Sequence, residues 1–276
     1  NGFDRISGPA VINTPDKAGF DLEQDPGVPY LSNISFCGTQ SGFNRSQAGK
    51  EGEGSLGHSG SELEGMEIAG NTFDYPFIHG KAIQAAGKYS FVSCSDEAVE
   101  NGIVTLEDYP IVDYILGLEK EDPIAKAYYK TFSSPMQRLI TSYCQSGGHL
   151  FVSGAYVGSD MSGTQGNREF TEKILKYGYQ SSLTDKSSNQ IKGLGRTITI
   201  PRLPNESSYA VPAADCIVPV DTAFPVFTYA PGNQSAGIAY KGNYRTFVLG
   251  FPFESIQSEA DRATIMAGIL GFFTQK

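Results

Sequence analysis

The chain contains no tryptophan, only three histidines in 276 residues, and no run of lysine or arginine. Without indole rings, a tryptophan-lined sugar platform is excluded, although tyrosine can stack in its place. The missing basic run, with a formal net charge of −9, argues against a nucleic-acid or anionic-membrane surface. No apolar run approaches membrane-spanning length, so no membrane insertion is expected, and no signal-peptide pattern is present. The four cysteines, Cys37, Cys94, Cys144 and Cys216, are widely spaced and form no Cys-x-x-Cys. Zinc and redox-pair chemistry therefore gain little support. Free, mostly buried thiols are expected, with one or two disulfides left open. The acid spacing in "GSDMSGTQGN" is wrong for a calcium loop. Gly147-Gly148 ends a helix and does not form a phosphate loop. No metal and no cofactor are expected.

What is present is a globular composition, 39% hydrophobic and 18% charged, long enough to bury a sizeable core. The opening "NGFDRIS" reads as the end of a first strand, so a segment of a larger multidomain protein is expected. Residues 1–276 read as a single α/β domain. Gly38–Gly65 has neither regular period and reads as a long polar loop insertion, a feature often functional in compact domains.

Hydrophobic periodicity supplies the elements. "YPFIHGKAIQAAG" predicts a short helix stopped by Gly87. "KYSFVSCS" predicts a strand, and "DEAVENG" a helical turn with Asp96 and Glu97 where negative charge suits the helix dipole. "YPIVDYILG" predicts a strand buried on both faces. In "SPMQRLITSYCQSGG", Met136, Leu139, Ile140 and Tyr143 fall at helical spacing behind Pro135. "HLFVSG" is the next strand, and "NREFTEKILKYG" an amphipathic helix ended by Gly178. "GRTITI", "FPVFTYA", "SAGIAYKG" and "YRTFVLGF" predict short strands joined by turns at Pro-Gly and Gly-Asn. "SEADRATIMAGILGFF" predicts a closing helix with an N-cap at Ser258 and a buried stripe of Ile265, Ile269, Leu270 and Phe273.

Strands alternating with helices imply a three-layer, mostly parallel sheet with extra short strands in the second half. In such sheets a site forms at the carboxyl ends of strands. Those ends are Asp4-Arg5, Ser93–Ser95, Gly117-Leu118, Ser153–Tyr156 and Phe251–Glu254. The stretch Gly154-Ala155-Tyr156-Val157-Gly158 stands out, because small residues flank one large side chain at the end of a strand.

That elbow resembles the Gly-x-Cys-x-Gly elbow of class I glutamine amidotransferase-like domains. "GFPFE", Gly250–Glu254, resembles the family's last-strand segment with its histidine and glutamate. "IVDYILG" resembles the strand whose glycine loop donates oxyanion-hole amides, at Gly117. The resemblance implies a flavodoxin-like fold. It also implies a lost reaction. The family's cysteine falls on Tyr156 and its histidine on Pro252, and only Glu254 keeps its type. A tyrosine hydroxyl with no matched base is a poor nucleophile near neutrality, and proline carries no side-chain proton. Glutamine hydrolysis by this route is not expected.

Across nearly the whole chain, "NGFDRISGP", "GVPYLSNISF", "IAGNTFDYPFIHG", "LFVSGAYVGSD" and "VLGFPFESI" resemble the C-terminal modules of large secreted Bacteroides-type proteins that carry a xanthan lyase label. This implies a secreted, periplasmic or cell-surface location, a glycan or cell-wall ligand, and other domains of the parent chain as partners.

Two functional readings stand. In the first, the domain is catalytically degenerate and serves as a binding or structural module in glycan or cell-wall polymer handling. In the second, it is a hydrolase or polysaccharide lyase with a reorganised site around Tyr156. A lyase needs a base, a carboxylate neutraliser and an acid, and Tyr156, Arg5 and His79 are of the right types. A serine hydrolase would use Ser153 or Ser159, although an esterase elbow places serine between the glycines. The catalytic candidates are thus Tyr156, Ser153, His79 and Glu254. The ligand-binding candidates are Asp4, Arg5, Asp74, Gly117 and Asp160. Each has a plainer alternative: Glu254 as a turn cap, Tyr156 as a packing plug, His79 as a satisfied helix-face histidine, His58 and His149 as surface residues, and the charged pairs as structural ion pairs.

Overall fold

A computed structural model describes residues 75–121, 130–183, 189–201, 211 and 213–275, with the backbone of 11–14 and 17–19. The loop at 38–65, and with it His58, Asp4, Arg5 and Asp74, lies outside the described residues. The first two strands, β1 (Val11–Thr14) and β2 (Lys17–Gly19), pair antiparallel.

A seven-stranded sheet organises the rest. Its strands are β3 (Ile111–Gly117), β4 (His149–Gly154), β6 (Gln190–Gly193), β7 (Arg196–Thr199), β9 (Phe224–Ala230), β10 (Ser235–Lys241) and β11 (Arg245–Leu249). Their spatial order is β3-β4-β11-β10-β9-β6-β7. A separate ladder pairs β5 (Tyr177–Ser182) with β8 (Asp215–Pro219).

The expected three-layer, mostly parallel, flavodoxin-like sheet of amidotransferase type does not form. Among the described residues, only β3–β4 and β4–β11 run parallel. The pairs β11–β10, β10–β9, β9–β6 and β6–β7 are all antiparallel. The reason is connection length. Tight turns at Pro231-Gly232 and Gly242-Asn243 fold β9, β10 and β11 back on one another, and a short turn can only make an antiparallel neighbour. Parallel pairing needs a crossover, and helix α3 (Ser134–Gln145) supplies one between β3 and β4.

Two cores flank the sheet. On one side α1 (Tyr75–Ala85) and α5 (Glu259–Thr274) cover Ile115, Phe151, Phe247 and Leu249. On the other, α3 covers Tyr114, Leu116, Leu150, Val152 and Val248. These alternating sets follow the two-residue period of a strand. The heads of α3 and α5 are capped by serine side chains, at Ser258 as the sequence suggests. Ser133 accepts from Met136 N at the head of α3, and Ser258 accepts from Asp261 N at 3.2 Å at the head of α5. Ile265, Ile269, Leu270 and Phe273 of α5 are buried.

Three local expectations fail. Residues 88–95 form no strand but an extended, mostly exposed segment leading into α2 (Asp96–Glu100). The helix around Arg168 is shorter than expected. It runs as α4 (Gln165–Phe170) and a π-turn over Thr171–Leu175, and ends at Lys176, whose φ of 68° breaks it. Gly178 lies instead inside β5. Finally, β3 is buried in its second half but stands at the end of the strand order among the described residues. Among the described residues, Cys94, Cys144 and Cys216 are unbridged, and no helix is long and apolar enough to cross a membrane.

Candidate functional site

Helix α1 packs its buried side, Tyr75, His79, Gly80 and Ala82, against the sheet and α5. The four-residue step from Tyr75 to His79 puts both on one face. That face carries an imidazole into the core. His79 is 1% exposed. Its Nδ1 lies 2.7 Å from Asp113 Oδ2 and its Nε2 lies 3.2 Å from Glu254 Oε2. Phe253 meets the ring edge-on at 4.7 Å between centroids.

Burial alone pulls the His79 pKa down. Asp113 and then Glu254 outweigh it, by charge and by hydrogen bond, and push the group up to about 9. With a carboxylate on each nitrogen, both N–H bonds are donated. The imidazolium is held charged near neutrality, so it has no free lone pair with which to take a proton from a nucleophile.

Glu254 arrives from the 3-10 turn Phe253–Ser255, which begins directly after Pro252. Of the expected site residues, His79 and Glu254 are thus brought together. Their third member, Asp113, escaped the sequence reading. A lone acid in the otherwise apolar run "IVDYILG" was the available signal. Asp113 Oδ1 is buried and has no hydrogen-bond partner among the described residues.

The elbow lies at the carboxyl end of β4. Gly154 is needed there because a Cβ would come within 2.8 Å of Leu116 Cβ. Gly117, at φ 48°, turns its carbonyl to the elbow and accepts from Ala155 N at 2.8 Å. Tyr156 is half-buried against the α1–α5 core, and Lys120 Nζ sits 4.7 Å from its ring centroid. Ser153 is fully buried inside β4, with no partner for Oγ among the described residues.

Two carboxylates hold the elbow in shape. Asp160 Oδ2 accepts from Thr131 N at 2.9 Å and Thr131 Oγ1 at 2.8 Å, and its Oδ1 from Glu121 N at 3.0 Å. Lys130 Nζ lies 3.3 Å from the same Oδ1. Asp215, on β8, reaches across to accept from Gly158 N at 2.8 Å, Ser159 N at 2.7 Å and Ser159 Oγ at 3.0 Å, all on Oδ2. Its Oδ1 accepts from Ser182 Oγ. Burial raises the Asp215 carboxyl to about 6 against these hydrogen bonds. Sequence reasoning passed over Asp215, since nothing in "ADCIVPV" connects it to an elbow 57 residues upstream.

His149 opens β4 and stacks on Phe273 at 5.8 Å. Among the described residues no group of three or more His, Cys, Asp or Glu is arranged to hold a metal ion.

No family model and no curated protein matches the chain. Among solved structures, the chain is similar to the exo-beta-1,4-mannosidase Op5Man5 from Opitutaceae bacterium strain TAV5, at 8% identity and a TM-score of 0.46. The match covers 78% of this chain and 34% of the mannosidase, so the chain spans about a third of that protein's length.

Proposed function

We propose that the chain is a non-catalytic module of a larger secreted or surface protein, with a binding or structural role in glycan or cell-wall polymer handling. The observation that carries this reading is His79. It is the described histidine nearest to a catalytic arrangement, and both its nitrogens are committed to Asp113 and Glu254. General-base work needs an accessible group with a pKa near the working pH. A buried imidazolium with a pKa near 9 meets neither condition. At the elbow, Tyr156 is half-buried with Lys120 over its ring, and Ser153 is buried inside β4. The net charge of −9 favours a neutral or amino-sugar polymer over a polyuronate.

The test is affinity electrophoresis and pull-down against peptidoglycan, neutral polysaccharides and xanthan. Reducing-end release and unsaturated-uronate absorbance are measured in the same samples. Binding without product is the expected result. Product that disappears in Tyr156→Phe would replace this reading with a hydrolase or lyase. Neither binding nor product would remove glycans from the assignment.

A further inference from the structure

Helices α1 and α5 leave a groove of about 440 Å³ between them, within the span of about 300–1,000 Å³ usual for small-ligand sites. Helical spacing builds its walls. Phe77 and Lys81 stand one turn apart on α1, and Glu259 and Arg262 stand close to one turn apart on α5. Ala82 and Ala263 also line the groove, and their methyl groups are too small to fill it.

The groove joins an apolar surface to a polar one. The Phe77 ring is 62% exposed. Lys81 Nζ lies 5.6 Å from the centroid of that ring and 3.1 Å from Glu259 Oε1. A ring, a cation and a carboxylate thus follow one another from one helix to the other. Arg262 is a fixed part of the wall, because its Nη1 donates to Ile256 O and, at 3.3 Å, to Gln257 O.

This mixture restricts the occupant. A purely apolar one would strip water from Lys81 and Glu259 and return no hydrogen bond, which is costly. A polyanion meets Glu259 and a chain of net charge −9, and a polycation meets Lys81 and Arg262. A neutral sugar suits both halves. Its hydroxyls can donate to the Glu259 carboxylate and accept from the Lys81 ammonium, while its C–H face covers the Phe77 ring. From Phe77 to Ala85, which also lines the groove, α1 rises about 12 Å at 1.5 Å per residue, room for about two linked sugar rings.

We infer that the α1–α5 groove is a binding site for a neutral saccharide, with Phe77 as its stacking ring and the Lys81–Glu259 pair as its hydroxyl-binding group, a site that rests on the glycan reading above and gives that reading a location.

Affinity electrophoresis of the intact chain through gels holding soluble neutral glucan, mannan or xylan tests this, beside a peptidoglycan pull-down and sedimentation of the same samples. The wild type is expected to be retarded by at least one neutral polysaccharide. Phe77→Ala and Lys81→Met are each expected to weaken that retardation about tenfold. Phe77→Tyr, which keeps the ring, and Phe224→Ala, which removes an exposed ring outside the groove, are expected to bind as the wild type does. Retardation that survives both Phe77→Ala and Lys81→Met would overturn the groove as the site and leave the glycan reading standing. Binding to peptidoglycan alone would do the same. Binding to none of these polymers would overturn both. A wild-type dimer that Phe77→Ala dissolves would assign the groove to a second copy of the chain and overturn the inference.

Discussion

His79 Nδ1 and Asp113 Oδ2, 2.7 Å apart, tie the middle of α1 to the middle of β3. Glu254 completes the tie from the turn after β11. Three segments distant in sequence are thus held by one buried cation. Removing a buried charge leaves its partners unpaired, typically at about 3–5 kcal/mol. His79→Ala is expected to lower the unfolding free energy by that amount in urea titrations. Adding Asp113→Asn to it should recover part of the loss, since one stranded carboxylate is then gone.

The same tie sets a pH dependence. The folded-state pKa of His79 is raised from 6.5 to about 9. Its stabilisation is therefore complete below the unfolded value and is lost as pH rises through the folded one. Between those limits stability should fall by about 1.4 kcal/mol per pH unit, on the order of 3 kcal/mol in all. Denaturation midpoints across that window, in wild type and His79→Gln, check it. A slope that persists in the variant would assign the effect elsewhere. Asp96 and Asp215, both raised to about 6 chiefly by burial, act with the same sign lower down. Each loses stabilising effect as pH rises from its unfolded value through about 6.

Asp215 is a carboxylate whose deletion and whose neutralisation should differ. Asp215→Ala strands the N–H groups of Gly158 and Ser159, and unsatisfied buried donors cost about 1–3 kcal/mol each. A loss of about 2–6 kcal/mol is expected from thermal or urea unfolding. Asp215→Asn keeps one acceptor oxygen for both amides and avoids burying a charge, so its loss should stay below about 1 kcal/mol. Equal losses in the two variants would refute the clamp.

Gly250 marks where β11 passes β8. A Cβ there would lie 2.1 Å from the Asp215 carbonyl oxygen, and backbone cannot swing aside as a side chain can. Gly250→Ala is expected to cost about 3 kcal/mol or more, at the upper end of overpacking effects. Gly163→Ala, where a Cβ meets nothing, is the control and should unfold at the wild-type midpoint.

Much of the local structure was legible in the sequence. Ser258 announced α5, Gly87 closed α1 with φ 78°, and the β9–β11 runs were bounded by their turn residues. The architecture was not. Strand runs do not say which strands are neighbours, and β4 pairs with β11 across most of the second half of the chain. The parallel reading extended the strand–helix rhythm of the middle third into a region built from hairpins. At the site, His79 and Glu254 were visible as residue types. Asp113 was hidden because one acid in an apolar strand gains meaning only once α1 is seen lying over it. The strand expected at 88–95 shows the limit of local propensity: the residues have the preference, but no strand forms there.

Asp215 has one more consequence. Successive backbone N–H groups aimed at a single point form a concavity that attracts anions, and Gly158 and Ser159 make one at the foot of the elbow. In this chain the guest is resident. Any oxyanion arriving from outside would have to evict a tethered carboxylate that never leaves the neighbourhood. The fold has answered its own anion site from within, trading a vacancy for a keystone.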